Sequence, residues 1–531
     1  MNSAPPDVDR LWNRARIAAI AVYLLSALGL GLQSPGMHYD EAIYFNSAVH
    51  LLTSRQPPPF AIQPWSWITV ADRQWPIMVL PYAGPLRSYL ALGPFAMFGA
   101  NNWSARMVTV FMGALGIWGF SVLIRDQLNP AAGALTAALL AVNPAYLSST
   151  IYDLGAVTEW MAPFGLASVA LASYLRRKTA YAAFWLGLAV GIAVWTRANL
   201  VWLFAAIALS GILVLGKQMF LPLREILALC AGGLLGLAPL LWYEIRSGGG
   251  TFAFMQFTRN EKPLSFLLQK RAGMFAQMLL SDSEHRVAWN GPEMPLWQMI
   301  LFPTLVGIGL WVCLRHDSPK QHIKRMLGLT FVLLATYMFC SRFNIAEHHL
   351  IALLPLSVLM VALAAQDSLQ RWRIARYPVA IVLVVYLLCA TQWNMAAAHR
   401  FRSGGGAEAW SDAIHSVSDY LGRNCVGRKI KVLDWGLHNS LFVLSNGKIT
   451  PSELFWGATV ERSGSGKKWT EEIVPGDVYV LHAPELMVFW EATEGFGRAL
   501  AKSGHSYRST LFSQKSACPF AEVVEILADA N

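Results

Sequence analysis

The chain has 531 residues, of which 55% are hydrophobic and only 14% charged, with 21 Trp and 26 Phe; its mean hydropathy is +0.40. An average soluble domain is about 25% charged, so this composition excludes a disordered chain, a disulfide-rich mini-protein and an ordinary cytosolic enzyme, and predicts an integral membrane protein with many helices. The net charge of +10 fits basic cytoplasmic loops, and without a Lys/Arg run interleaved with aromatics no nucleic-acid partner is expected.

Eleven apolar segments are long enough, or nearly so, to cross a hydrocarbon layer of ~30 Å. They are residues 15–32, 103–124, 131–148, 154–175, 180–196, 199–216, 224–243, 296–314, 326–341, 349–365 and 377–396. The first lacks a clear small-residue cleavage site and reads as a retained span, not a signal peptide. With the N-terminus inside, sixteen Lys and Arg residues fall in the inner segments and two, Arg197 and Arg342, in the short outer loops. That bias orients the chain, and an odd span count sends the C-terminus outside.

The reading is an α-helical polytopic membrane protein of about eleven transmembrane helices. Its membrane domain is 1–396, with long outer segments 33–102 and 244–295. The first outer segment holds Trp65, Trp67, Trp75, Tyr82 and the run "PLRSYLALGPFAMFG", which read as interfacial helices. A second domain, 397–531, follows the glycines Gly404 to Gly406. Its runs "KIKVLDW", "DVYVLHA" and "AEVVEIL" alternate with helical patterns such as 486–502, as in an α/β domain. This domain is expected over the outer mouth of the membrane part. Strand-end Asp434 reads first as a turn residue. Cys425 and Cys518 are the one cysteine pair in the outer domain, where an oxidising compartment would let them bridge.

The outer loops concentrate ionisable residues. "GMHYDEAIYF" carries Asp40 and Glu41, which could also simply cap a helix. "NPAYLSSTIYDLGAV" carries Asp153, with Glu159 inside the following span, where an ionisable residue is costly and tends to face a cavity. Arg197 occupies a tiny loop, and "RFNIAEHHLIALLP" carries Arg342, His348 and His349. Arginine can snorkel to lipid phosphates, and a lone histidine can be packed. Their gathering at one face nonetheless points to one site.

A helix, a "DE" loop, "PYAGPLRSYLALGPFAMFGANNWSARM" and then "NP…YD" resembles the GT-C membrane glycosyltransferases. The branch it resembles is that of the protein mannosyltransferases and aminoarabinose transferases (glycosyltransferase family 39-like), over roughly residues 10–365. The resemblance implies a donor sugar on a polyprenyl phosphate, transferred with inversion to a glycan, lipid or protein acceptor hydroxyl. It implies Asp40 as general base, with Glu41 and Asp153 as further catalytic acids positioning the acceptor or a metal. Arg197 and Arg342 would hold the donor phosphate. From their own place at the outer face, Tyr82, Glu159, His348 and His349 are expected as further substrate contacts, the paired His being a departure from the family pattern. The resemblance leaves open a divalent cation (Mg, Mn or Zn) at Asp40 and Asp153. No Gly-rich strand-to-helix phosphate loop appears, so no nucleotide cofactor is expected. A bacterial inner membrane, with the C-terminal domain periplasmic, is the expected location. The competing readings are a lipid-linked glycan flippase, which would show broken spans in matching repeats, and a non-catalytic assembly subunit.

Overall fold

The computed structural model describes residues 6–55, 64–153, 155–281, 296–315, 320–371, 376–455 and 469–527. Residues 282–295 of the second outer segment lie outside these. Six described helices are long and apolar enough to cross a membrane: Val8–Leu30, Asn102–Gln127, Leu200–Met219, Leu223–Ser247, Gln321–Cys340 and Arg376–Gly404. The shorter apolar helices Ala180–Thr196, Ile300–Arg315 and Leu353–Leu369 occupy three more predicted segments. Helix Thr158–Arg177 occupies a further one.

The segment expected as one span at 131–148 is two helices, Pro130–Val142 and Pro144–Ile151, bent by 64°. Pro144 disfavours the helical conformation at the residue before it. Asn143 is accordingly extended (φ −61°, ψ 122°), and its side chain caps the second helix by accepting from the Tyr146 N–H. Elsewhere close packing rests on glycine. Gly187 and Gly191 face Gly232 and Gly236 across the parallel-running helices Ala180–Thr196 and Leu223–Ser247, where a Cβ at Gly187 would stand 2.0 Å from the Leu229 carbonyl. This is the small-residue contact by which membrane helices approach without a hydrophobic drive.

The first outer segment is only partly helical. "PLRSYLALGPFAMFG" forms helix Leu86–Phe98 as expected. Trp67 and Trp75 lie instead on a hairpin, β1 (Trp67–Val70) against β2 (Arg73–Pro76). Aromatic and β-branched residues favour strand there, and Ala71 and Asp72 both adopt positive φ, as the tight two-residue turn requires.

The C-terminal domain is a five-stranded mixed sheet in the order β4-β3-β5-β7-β6, with β3 Ile430–Val432, β4 Ser452–Glu453, β5 Val478–His482, β6 Tyr507–Ser513 and β7 Pro519–Ile526. The three predicted strand runs are β3, β5 and β7. Alternate residues serve two cores, as strand geometry dictates. Val478, Val480 and Val523 meet helix Ala413–Asn424, while Tyr479, Val524 and Ile526 meet helix Trp490–Ser503. The domain docks on the first outer segment through Asn439 on Asn46 (2.6 Å), Asn446 on the Ala100 N–H (2.6 Å) and the Trp410 carbonyl on the Gly36 N–H (2.8 Å).

The expected Cys425–Cys518 bridge is not made; both thiols are free. Cys425 is buried with its Sγ 3.9 Å from Glu525. Cys518 precedes the opposite end of β7, seven residues away and so roughly 20 Å distant along an extended strand. A disulfide needs its Cα atoms within about 7 Å.

Candidate active site

The outer segment that follows the first helix is pinned from below. Arg106, fully buried on helix Asn102–Gln127, donates to the carbonyls of Leu32, Pro35 and Gly36. It also grips Glu41 with two hydrogen bonds of 2.8 and 3.0 Å. A bidentate charge-assisted pair of this kind fixes geometry as well as energy. It orients the short helix Tyr39–Ile43, which His38 caps by accepting from the Asp40 N–H at 3.0 Å. Glu41 therefore points inward to Arg106, and half-buried Asp40 points the other way, into a cavity of about 660 Å³.

Tyr39, Tyr44, Tyr82 and Trp435 line the cavity beside Asp40. Trp202, Phe254, Met255, Phe257, Tyr337 and Met338 line its apolar arm, in which Trp202 and Tyr337 stack at 4.4 Å. His348, His349 and residues 343–346 form another part of the wall. Buried Arg271 holds that last stretch. Its guanidinium collects the carbonyls of Phe339 (2.9 Å), Ser341 and Phe343 at the end of helix Gln321–Cys340, where cations are favoured.

Tyr82 and Arg197 are brought together by local backbone bonds, from Ala198 N–H to the Tyr82 carbonyl and from Gly84 N–H to the Thr196 carbonyl. Arg197 is fully buried, lies 4.9 Å from the Tyr82 ring centre and donates to the Tyr44 hydroxyl at 3.0 Å. Its Nε and Nη2 are buried with no hydrogen-bond partner. An unsatisfied buried guanidinium is costly, and an anion at the cavity wall would satisfy it. Burial raises the Tyr82 phenol against the opposing pull of Arg197. Burial and then the Glu453 carboxylate raise Tyr39. Both tyrosines thus remain hydroxyl donors at neutral pH.

No family model and no curated protein matches the chain. Solved structures do. ArnT from Cupriavidus metallidurans bound to undecaprenyl phosphate matches with a TM-score of 0.62 at 14% identity, over 96% of this chain and 97% of that one. Its apo form matches at 0.62 and 15%, over 97% of each. The apo oligosaccharyltransferase of Archaeoglobus fulgidus matches at 0.50 and 14%, over 93% of this chain and 69% of that one. The fold is that of the GT-C glycosyltransferases.

Within this GT-C fold the sequence-predicted residues separate. Asp40, Tyr82, His348 and His349 line one cavity, with Arg197 directly behind Tyr44 and Tyr82. Asp153 and Glu159 lie in a buried network instead. Arg87 ion-pairs with Asp153 and donates from Nε to Glu159 at 3.1 Å. Asp153 also accepts from the Thr158 N–H (2.8 Å) and hydroxyl (2.9 Å). Burial, with Glu159 adding and Arg87 opposing, moves the Asp153 carboxyl up to about 6. Both oxygens of Asp153 are thus engaged by Arg87 and Thr158. Among the described residues no group of three or more His, Cys, Asp or Glu side chains is placed to hold an ion. Arg342 is exposed and donates to the Lys262 carbonyl at 2.7 Å, off the cavity wall.

Sequence reasoning did not single out Arg87, Arg106, Arg271, Tyr44 or Trp435. Arg87 and Arg106 carried a signal, since both stand in apolar runs at the outer face, within the quoted motifs "GPLRSY" and "WSARM".

Proposed function

We propose that this protein is an integral membrane glycosyltransferase that moves a sugar from a polyprenyl phosphate to an acceptor hydroxyl. The observation that carries the reading is one cavity in which Asp40 faces a wall backed by the Arg197 guanidinium, whose Nε and Nη2 have no hydrogen-bond partner. Its apolar arm suits an isoprenoid chain, and the matching ArnT structure is bound to undecaprenyl phosphate.

Asp40 takes the proton of the acceptor hydroxyl as that oxygen attacks the anomeric carbon. The bond from that carbon to the phosphate oxygen breaks, and polyprenyl phosphate leaves with the electron pair. Arg197 stabilises the growing phosphate charge, in a site where fixed charge acts more strongly than in water. A single displacement inverts the anomeric centre. The membrane part, 1–396, crosses a bacterial inner membrane eleven times with the N-terminus inside. The site and the domain 397–531 then face the periplasm, where nucleotide sugars are absent and a lipid-borne donor is needed.

The test is sugar transfer from a synthetic polyprenyl-phosphate donor by purified protein in detergent. Asp40→Asn keeps the shape and removes the base, so turnover should fall at least about a hundredfold, with donor binding little changed. Near-normal turnover in Asp40→Asn would remove Asp40 as base.

A further inference from the structure

Beyond Gly404, Trp435 is the one cavity-lining residue among those described. It stands just past β3, at the carboxyl end of the parallel strands β4, β3 and β5, where α/β domains place ligand sites. Its backbone is held firmly. Asp434 accepts from the N–H groups of Trp435 (2.9 Å), Phe489 (2.8 Å) and Val488 (3.0 Å), and from the His482 ring (3.0 Å). Gly436, at φ +104°, then turns the chain away. The buried strand-end carboxylate that the sequence suggested as a turn residue is thus the mount, and the indole beside it lines the cavity.

The indole is placed against the two residues that precede the base. Its ring centre lies 4.8 Å from that of Tyr39 and 5.7 Å from that of His38. Tyr39 in turn donates to Glu453 of the same domain at 3.3 Å. The segment carrying Asp40 is therefore gripped by the C-terminal domain, and the aromatic face and the carboxylate share one corner of the cavity.

We propose that Trp435 is the acceptor platform, and that the acceptor is a carbohydrate whose ring lies on the indole and presents a hydroxyl to Asp40. This rests on the transferase reading above. A sugar has an apolar C–H face and a hydroxyl rim, so an aromatic plane beside a carboxylate complements both. An extended peptide would need a strand edge to pair with, and no residue of β3 to β7 lines the cavity. The isoprenoid chain of the donor finds apolar lining in Trp202, Phe254 and Tyr337.

The experiment uses the full chain in detergent. Donors are synthetic, radiolabelled polyprenyl-phosphoryl pentoses and hexoses. Acceptors are octyl glycosides of several sugars or a Ser/Thr peptide, and release of free sugar to water is followed in parallel. An octyl glycoside should be modified and the peptide not. Trp435→Ala should raise the acceptor KM roughly tenfold, with donor KM and donor hydrolysis at the wild-type level, and Trp435→Phe should restore most of the loss. An unchanged acceptor KM in Trp435→Ala, or transfer to the peptide alone, overturns the platform and leaves the transferase reading standing. Loss of donor hydrolysis in both variants would assign the ring to folding and overturn it as well. No turnover of any donor by the wild-type protein, by transfer or by hydrolysis, overturns both.

Discussion

The cavity wall and the layer of charge just behind it use the same residue types to opposite ends. Behind the wall, Glu41 is paired with Arg106, and Asp153 and Glu159 share Arg87, all at zero side-chain exposure. On the wall, Asp40 faces open volume, and Arg197, directly behind Tyr44 and Tyr82, keeps two nitrogens without a hydrogen-bond partner. Adjacent residues, Asp40 and Glu41, fall on either side of this divide. A short helix turns successive side chains by about 100°, so one acid of the pair meets Arg106 and the other meets the cavity. Charge paired in the buried layer holds shape, and the two free nitrogens of Arg197 are where an anionic ligand can gain binding energy.

That contrast can be broken at its strongest point first. Arg106→Ala leaves Glu41 buried and unpaired and frees three carbonyls of the loop. Breaking one buried pair costs about 3–5 kcal/mol, so thermal unfolding in detergent should show a severely destabilised protein. A stable variant that has lost only turnover would move Glu41 into the chemistry. Arg197→Met should bind donor more weakly by roughly ten- to a hundredfold, the worth of hydrogen bonds to a charged group, with an unfolding temperature near wild type. An unchanged donor KM would mean that its free nitrogens meet no phosphate.

A smaller effect should appear with pH. Burial, reinforced by the Arg106 guanidinium, lowers the His415 imidazole to about 4. It packs on Asn102 at 3.1 Å, at the seam between the C-terminal domain and the paired layer. The unfolded chain takes a proton near pH 6.5 and the folded chain only near 4, so this contribution is present above 6.5 and is lost as pH falls toward 4. The unfolding temperature should drop by a few degrees between pH 7 and 5, and His415→Gln should flatten the drop. Smallest of all, Arg342→Ala should change turnover by less than about twofold, as expected for an exposed side chain away from the wall. A large loss would return Arg342 to the donor site.

Legibility followed physical cause. The helices were readable because about twenty apolar residues have few other fates. The break at Asn143 was not, because hydropathy is blind to one Asn-Pro step. The strands β3, β5 and β7 carry buried apolar runs and could be read. Exposed β6 and the two-residue β4 do not stand out in that way. The Cys425–Cys518 pairing failed because a count of cysteines holds no distance.

By itself, the sequence determined a helical membrane protein, an α/β domain after Gly404 and a concentration of acids and arginines at one face. These follow from hydropathy, periodicity and charge, which act locally along the chain. Tertiary structure alone decided that Asp40 faces a cavity while Glu41, Asp153 and Glu159 are paired away. It alone brought Trp435 back across roughly 400 residues to the Asp40 corner. Pairing of a buried charge depends on which distant guanidinium the packing delivers, and no local pattern encodes that.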